Sequence, residues 1–257
     1  MKILKYTKKN NNKYDITLED GHTISLYTDL ILKYDLLIKK EIDMKTMKVI
    51  EEAHQKLDIY YKTLKYLRNM KCTKDVKDYL KDYDFSIRNY VMERLKKEKY
   101  LDDNNYIKAY INTKIILSND GYYKIYNYLK NKDLDIEVIR TELDLIEDDI
   151  WLEKIKKIVN SKLKNNSNDS KNMLIIKIKN YLKTLGYQDY LINQVLLSVK
   201  IDSSKEEDNL KREYVKLHNK YKNKYDLKKL NYVLIGKLYQ KGYDLEKIKR
   251  VVEVADL

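Results

Sequence analysis

The sequence contains no proline, only five glycines, one cysteine and one phenylalanine in 257 residues. Without proline and with so few glycines, helices can run long before the backbone breaks them. The lone Cys72 excludes an internal disulfide, and three scattered histidines, His22, His54 and His218, offer no metal-ligand cluster. No apolar run approaches the ~20 residues of a membrane span, and the opening MKILKYTKKNNNKYD lacks the apolar centre of a signal peptide. A protein of the reducing cytoplasm, with no membrane partner, is the expectation. No phosphate-cradling glycine loop, nucleophile elbow or paired-metal carboxylate cluster can be read, so no cofactor is expected and an enzyme is disfavoured.

What is abundant is lysine, asparagine, isoleucine, leucine and tyrosine. The 26 tyrosines partly reflect what AT-rich codons would give, which weakens any functional reading of tyrosine. An apolar content of 43% is adequate for a core. The formal net charge of +13 points to acidic partners, nucleic acid or a nucleoprotein surface. The charge is uneven: residues 152–184 hold nine lysines against Glu153 and Asp169, whereas residues 128–150 set three basic residues against eight acidic ones.

The pattern that organises the chain is VKDYLKDYDFSIRNYVMERL, from Val76. Val76 and Leu80, then Ile87, Tyr90, Val91 and Leu95, fall at three- and four-residue spacing, which predicts two helices across a polar turn, the second capped by Ser86. The plan returns from Tyr126, Lys179 and Ile235, aligning Leu80, Leu129, Leu182 and Leu238 at steps of 49, 53 and 56 residues. Four residues beyond each leucine stands Asp84, Asp133, Gly186 or Gly242, a helix-ending residue, followed by Phe85, Leu134, Tyr187 or Tyr243. A period near fifty leaves room for one more helix per copy. In the first copy this space is filled by predicted helices at 44–56 and 57–70, with Thr73 capping the next.

The first forty residues differ. Lys2–Tyr6, Lys13–Leu18 and Thr23–Tyr27 read as strands of a small antiparallel sheet, with Glu19-Asp20-Gly21-His22 as a turn. Thr28 or Asp29 would cap a short helix, Ile38–Ile42 would be extended, and Asp43 would cap the first long helix. The expected architecture is therefore mainly α: a small β-containing region at 1–43, then an elongated, curved array of four three-helix repeats at 44–103, 104–146, 147–201 and 202–257. One such unit has too few apolar side chains to stand alone, so neighbours must share faces. The third unit opens on Glu147-Asp148-Asp149, acidic groups at a positive helix start, and contains a polar linker at 165–170; the fourth opens after Asp202-Ser203-Ser204.

Tyr100-Leu101-Asp102-Asp103 closes the first unit, with Asp102 or Asp103 placed to cap the helix carrying Tyr106 and Ala109. That signature, the four repeats, the Gly121–Leu129 segment and the turns at Gly186 and Gly242 resemble the RecX family, regulators of the RecA recombinase. The likeness runs over nearly the whole chain. It departs at Met70-Lys71-Cys72-Thr73, where the family usually has arginines before a serine, and at Tyr122, where proline usually follows the glycine. The resemblance implies a monomer that binds in the groove of a RecA filament and restrains ATP turnover and strand exchange, within recombination, DNA repair and the SOS response. Single-stranded DNA is a second candidate partner. Lys114, Lys124, Lys156, Lys157, Lys177 and Lys183 are then the residues expected to meet acidic filament surfaces or phosphates.

For any one of these lysines, the plainer reading is a solvated helix exterior. Tyr100, Leu101 and Trp151 read as packing residues, Asp102 and Asp103 as caps, and Cys72 as a buried small residue. Two alternatives remain: a helical-repeat module that binds single-stranded nucleic acid directly, and a plain protein-protein scaffold. The acidic stretch 133–149 counts against the first.

Overall fold

A computed structural model describes residues 1–10, 12–164, 169–199 and 206–255. Among these residues the chain forms three strands and fourteen helices. It divides into two compact units, Met1–Tyr106 and Ile107–Leu257.

In the first unit, strands β1 (Ile3–Lys8), β2 (Lys13–Leu18) and β3 (Thr23–Tyr27) form an antiparallel meander in that order, with Lys13 opposite Tyr27 and Lys8 opposite Tyr14. Alternation decides which face is covered: Ile16 and Leu18 on β2 are buried, as is Leu26 on β3. Short helices α1 (Thr28–Lys33) and α2 (Leu36–Lys39) follow. Ile38 and Lys39 are thus helical rather than extended, and only the next few residues run beside the sheet, where Lys2 bridges Glu41 and Met1 O accepts from Ile42 N. Tyr27, not Thr28 or Asp29, stands at the cap position of α1.

Helix α3 (Met44–Tyr66) is one 23-residue helix where two were expected. Nothing between Lys56 and Leu57 ends a helix, and the apolar stripe of Met47, Ile50, Leu57 and Tyr60 continues through it. Asp43 caps α3, accepting from Thr46 N at 2.7 Å. Helices α4 (Thr73–Tyr79) and α5 (Phe85–Lys97) complete the first three-helix unit. Its core is continuous with the sheet: Ile16, Leu18, Ile50, Leu57, Tyr60, Val76, Leu80, Val91 and Leu95 belong to one buried cluster.

The other helices also group in threes: α6 (Asp103–Leu117), α7 (Tyr122–Lys130) and α8 (Ile136–Asp144); α9 (Asp148–Lys164), α10 (Lys171–Thr184) and α11 (Asp189–Ser198); α12 (Glu206–Tyr221), α13 (Leu227–Gln240) and α14 (Leu245–Ala255). The four aligned leucines, Leu80, Leu129, Leu182 and Leu238, are all 0% exposed, and each contributes roughly 1.5–3 kcal/mol by leaving water. In three copies the turn also matches: Asp133, Gly186 and Gly242 have φ of 54°, 85° and 83°, and Leu134, Tyr187 and Tyr243 are buried behind them. The first copy differs. Asp84 has φ −56° and is the N-cap of α5, displacing Ser86 from that role, and Phe85 is 69% exposed. Counted from the aligned leucine, α5 begins two residues earlier than α8, α11 and α14 do, and Tyr83 is the aromatic packed against the core.

Most of the polar linker at 165–170, and Asp202-Ser203-Ser204, lie outside the described residues. Ser170 is described, and caps α10 by accepting from Met173 N at 3.2 Å.

Candidate functional site

The Tyr100–Asp103 signature is a junction between helices. Asp102 accepts from Asn105 N at 2.9 Å and so caps α6. Asp103 instead reaches back thirty residues to accept from Thr73 N at 2.8 Å, at the start of α4. Cys72 precedes α4 and is buried; its N–H donates to Asp75 Oδ2 at 3.1 Å, and burial pushes its thiol pKa up, which keeps it unreactive. Leu101 packs against the core, whereas Tyr100 is 53% exposed and is not the packing residue expected.

The second unit is built on helix ends that meet helix starts. At the start of α7, Gly121 N donates to Leu185 O at 2.7 Å and Tyr123 N to Gly186 O at 2.9 Å, both carbonyls at the end of α10. At the start of α10, Ser170 Oγ donates to Lys241 O at 2.6 Å and Asn172 Nδ2 to Gly242 O at 3.1 Å, at the end of α13. The middle helices of the second, third and fourth repeats are therefore joined in series, the helix-end carbonyls being met by backbone N–H groups at the first joint and by side-chain donors at the second.

These joints carry the expected lysines to different places. Lys114 on α6 and Lys124 on α7 converge on Asp120, at 3.1 Å and 2.6 Å. Burial would raise the Asp120 carboxyl, but the hydrogen bonds from Lys124 and Lys114 outweigh it and hold its pKa below the ordinary aspartate value. Lys156 and Lys157 lie on the exposed side of α9, whose other side buries Trp151, Ile155, Ile158 and Val159. Lys157 is 3.8 Å from Glu153, both side chains being largely exposed, and Lys156 has no ion pair among the described residues. Lys177 pairs with Asp169 at 2.7 Å and Lys183 with Asp189 at 2.9 Å; six residues apart on α10, they point roughly 120° from one another. Of the six lysines, the structure brings Lys114 and Lys124 together through a shared carboxylate.

Two further residues complete that cluster. Lys154, on α9, donates to Ile115 O, to Ser118 O at 2.7 Å and to Lys114 O at 3.4 Å, closing the carbonyl end of α6. Burial pulls its ammonium pKa below the usual lysine value. Asp120 itself follows Asn119 in a segment that reads simply as a turn. Neither was visible in sequence, because a half-buried lysine and a half-buried aspartate have the same letters as solvated ones. Among the described residues no group of histidine, cysteine, aspartate or glutamate is arranged to hold a metal ion, and no helix is long and apolar enough to cross a membrane.

No protein-family model matches the chain. A protein named regulatory protein RecX from Oceanobacillus iheyensis is 27% identical over 228 residues, 85% of this chain and 84% of its own length. Another of that name from Streptococcus mutans is 28% identical over 236 residues, 88% of each chain. A crystal structure of regulatory protein RecX superposes with a TM-score of 0.63 at 22% identity, covering 76% of this chain and 98% of that one. These matches, over most of the chain, support the RecX family. RecX from Lactobacillus salivarius has a crystal structure that matches with a TM-score of 0.52 at 25% identity, over 57% of this chain and 97% of that one. The overall fold is thus shared with RecX structures.

Proposed function

We propose that this protein, like the RecX proteins it resembles, regulates homologous recombination by binding along the groove of a RecA nucleoprotein filament, where it inhibits ATP hydrolysis and strand exchange. The observation that carries the reading is similarity over more than four-fifths of the chain to proteins named regulatory protein RecX. It acts by contact, as a cytoplasmic monomer, and needs no covalent chemistry. Its exposed lysines supply the attraction. Lys156 is free to meet an acidic surface, and the exposed pairs of Lys157, Lys177 and Lys183 hold their partners by only ~0–1 kcal/mol each, so exchange for a filament carboxylate or a phosphate costs little. Lys114 and Lys124 are set differently: their shared Asp120 leaves one net positive charge for the three groups at this corner of the unit.

The test is binding to RecA-coated single-stranded DNA and to bare single-stranded DNA at the same salt. A preference for the coated strand is expected. A preference for bare DNA would transfer the function to direct nucleic-acid binding, and failure to bind either would leave a scaffold for other proteins.

A further inference from the structure

Helix α5 buries one side and leaves a mixed, partly exposed side opposite. Val91 and Leu95 face the core of the first unit, with Ile87 packed beside them. The other side, carrying Phe85, Arg88, Asn89, Met92, Glu93 and Lys96, lines an open groove of about 420 Å³ together with Lys77 and Leu80 from the α4 end. Phe85 is the only phenylalanine in the chain and stands 69% exposed at one end of the groove, with the Arg88 guanidinium 5.9 Å from its ring centroid. The groove runs about 16 Å along α5, the rise of a helix between residues 85 and 96.

Three cations surround this apolar floor: Lys77, Arg88 and Lys96, against the single carboxylate of Glu93. None of the three forms an ion pair among the described residues, whereas Lys13, Lys62 and Arg94 of the same unit are all paired. Arg88 adds a second mark: its Nε is shut off from solvent with no acceptor in reach.

We propose that this groove docks a short acidic segment of a partner protein that carries one bulky apolar anchor. The apolar side chain lies on Phe85 and the Met92 side chain beside it, and flanking carboxylates meet Arg88, Lys77 and Lys96. A peptide fits better than a nucleic-acid strand, because Met92 and the Phe85 ring ask for an apolar side chain and a phosphate backbone has none to place there. The groove belongs to the first unit, and the inference does not depend on RecA being the partner.

The experiment is fluorescence-anisotropy titration of the full chain with a dye-labelled glutamate-rich peptide bearing a central leucine-phenylalanine pair. Controls are the same peptide with serines at the pair, a lysine-rich counterpart and a short single-stranded oligonucleotide. The expected result is saturable, salt-sensitive binding of the first peptide alone, weakened about tenfold or more by either Phe85→Ser or Arg88→Gln. Both side chains are at least partly exposed, and circular dichroism confirms that each variant folds. Absence of binding, binding unchanged in both variants, or equal binding of the serine peptide or the oligonucleotide would each overturn the proposal.

Discussion

Gly121 and Gly186 meet backbone to backbone. A Cβ on Gly121 would sit 2.7 Å from the Gly186 carbonyl carbon, and one on Gly186 would sit 2.4 Å from Lys124 N, at a φ of 85°. The two glycines let the start of α7 close on the end of α10, and any side chain would force these helix ends apart. Gly121→Ala and Gly186→Ala are each expected to cost about 1–3 kcal/mol in denaturant unfolding, with the positive φ making Gly186→Ala the worse. Gly236 lies within α13 with nothing within 4 Å of its missing Cβ, so Gly236→Ala should be neutral or add ~0.5–1 kcal/mol. Equal effects at all three positions would contradict the joint.

The neighbouring aspartates Asp102 and Asp103 do separable work, and their variants should differ. Asp102→Ala removes a cap from α6 and is expected to cost about 0.5–2 kcal/mol. Asp103→Ala strips the acceptor from the partly buried Thr73 N–H and should cost about 1–3 kcal/mol. Hydrogen exchange distinguishes them, because the Thr73 amide should lose protection in the Asp103 variant and keep it in the Asp102 variant.

Acid should weaken the first unit through Asp58. This carboxylate receives Lys62 Nζ at 2.8 Å, Tyr27 Oη at 3.0 Å and Lys13 Nζ at 3.2 Å. Burial alone would raise its pKa, but those hydrogen bonds overcome it and bring the value to about 2. The folded pKa lies below the unfolded one, so the stabilisation is complete above the ordinary aspartate value and is lost as pH falls through about 2. Allowing for solvent screening, it amounts to about 1 kcal/mol. Asp58→Asn should lower stability at neutral pH and flatten the acid limb of the stability curve; an unchanged limb would show that Asp58 is not a source of it.

Lysines of the second unit should separate into those that hold the fold and those that meet a partner. Lys154→Met leaves the α6 carbonyls without their donor and is expected to cost about 1–3 kcal/mol. Reversing Lys156, Lys157, Lys177 and Lys183 together to glutamate should leave the thermal transition within a few degrees of the parent, yet abolish inhibition of RecA. Unchanged inhibition by this folded variant would remove these lysines from the partner surface.

Helical period and turn chemistry made the architecture readable before any coordinates. The three strands, the helices in threes, the aligned leucines and the positive-φ turns at Gly186 and Gly242 all follow from local rules, and those rules held. They misled where the next helix begins early: Asp84 and Phe85 match the repeat by counting, but α5 starts two residues sooner after its leucine than the later copies, which carries Phe85 out of the core and puts Tyr83 in its place. The long α3 was missed because an uninterrupted stripe gives no sign that two predicted helices are one. The candidate site was less legible still. That Lys114 and Lys124 share Asp120, or that Lys154 turns inward to close α6, depends on contacts between residues distant in sequence, which no periodicity encodes.

The central claim is tested most directly by ATP hydrolysis of RecA preassembled on excess single-stranded DNA, with this protein added in rising, substoichiometric amounts. Excess DNA makes competition for bare strand ineffective. Inhibition that is complete well below one molecule per RecA is the predicted result, since a protein bound along the groove acts on many protomers. Hydrolysis that continues unchanged under these conditions would contradict the account.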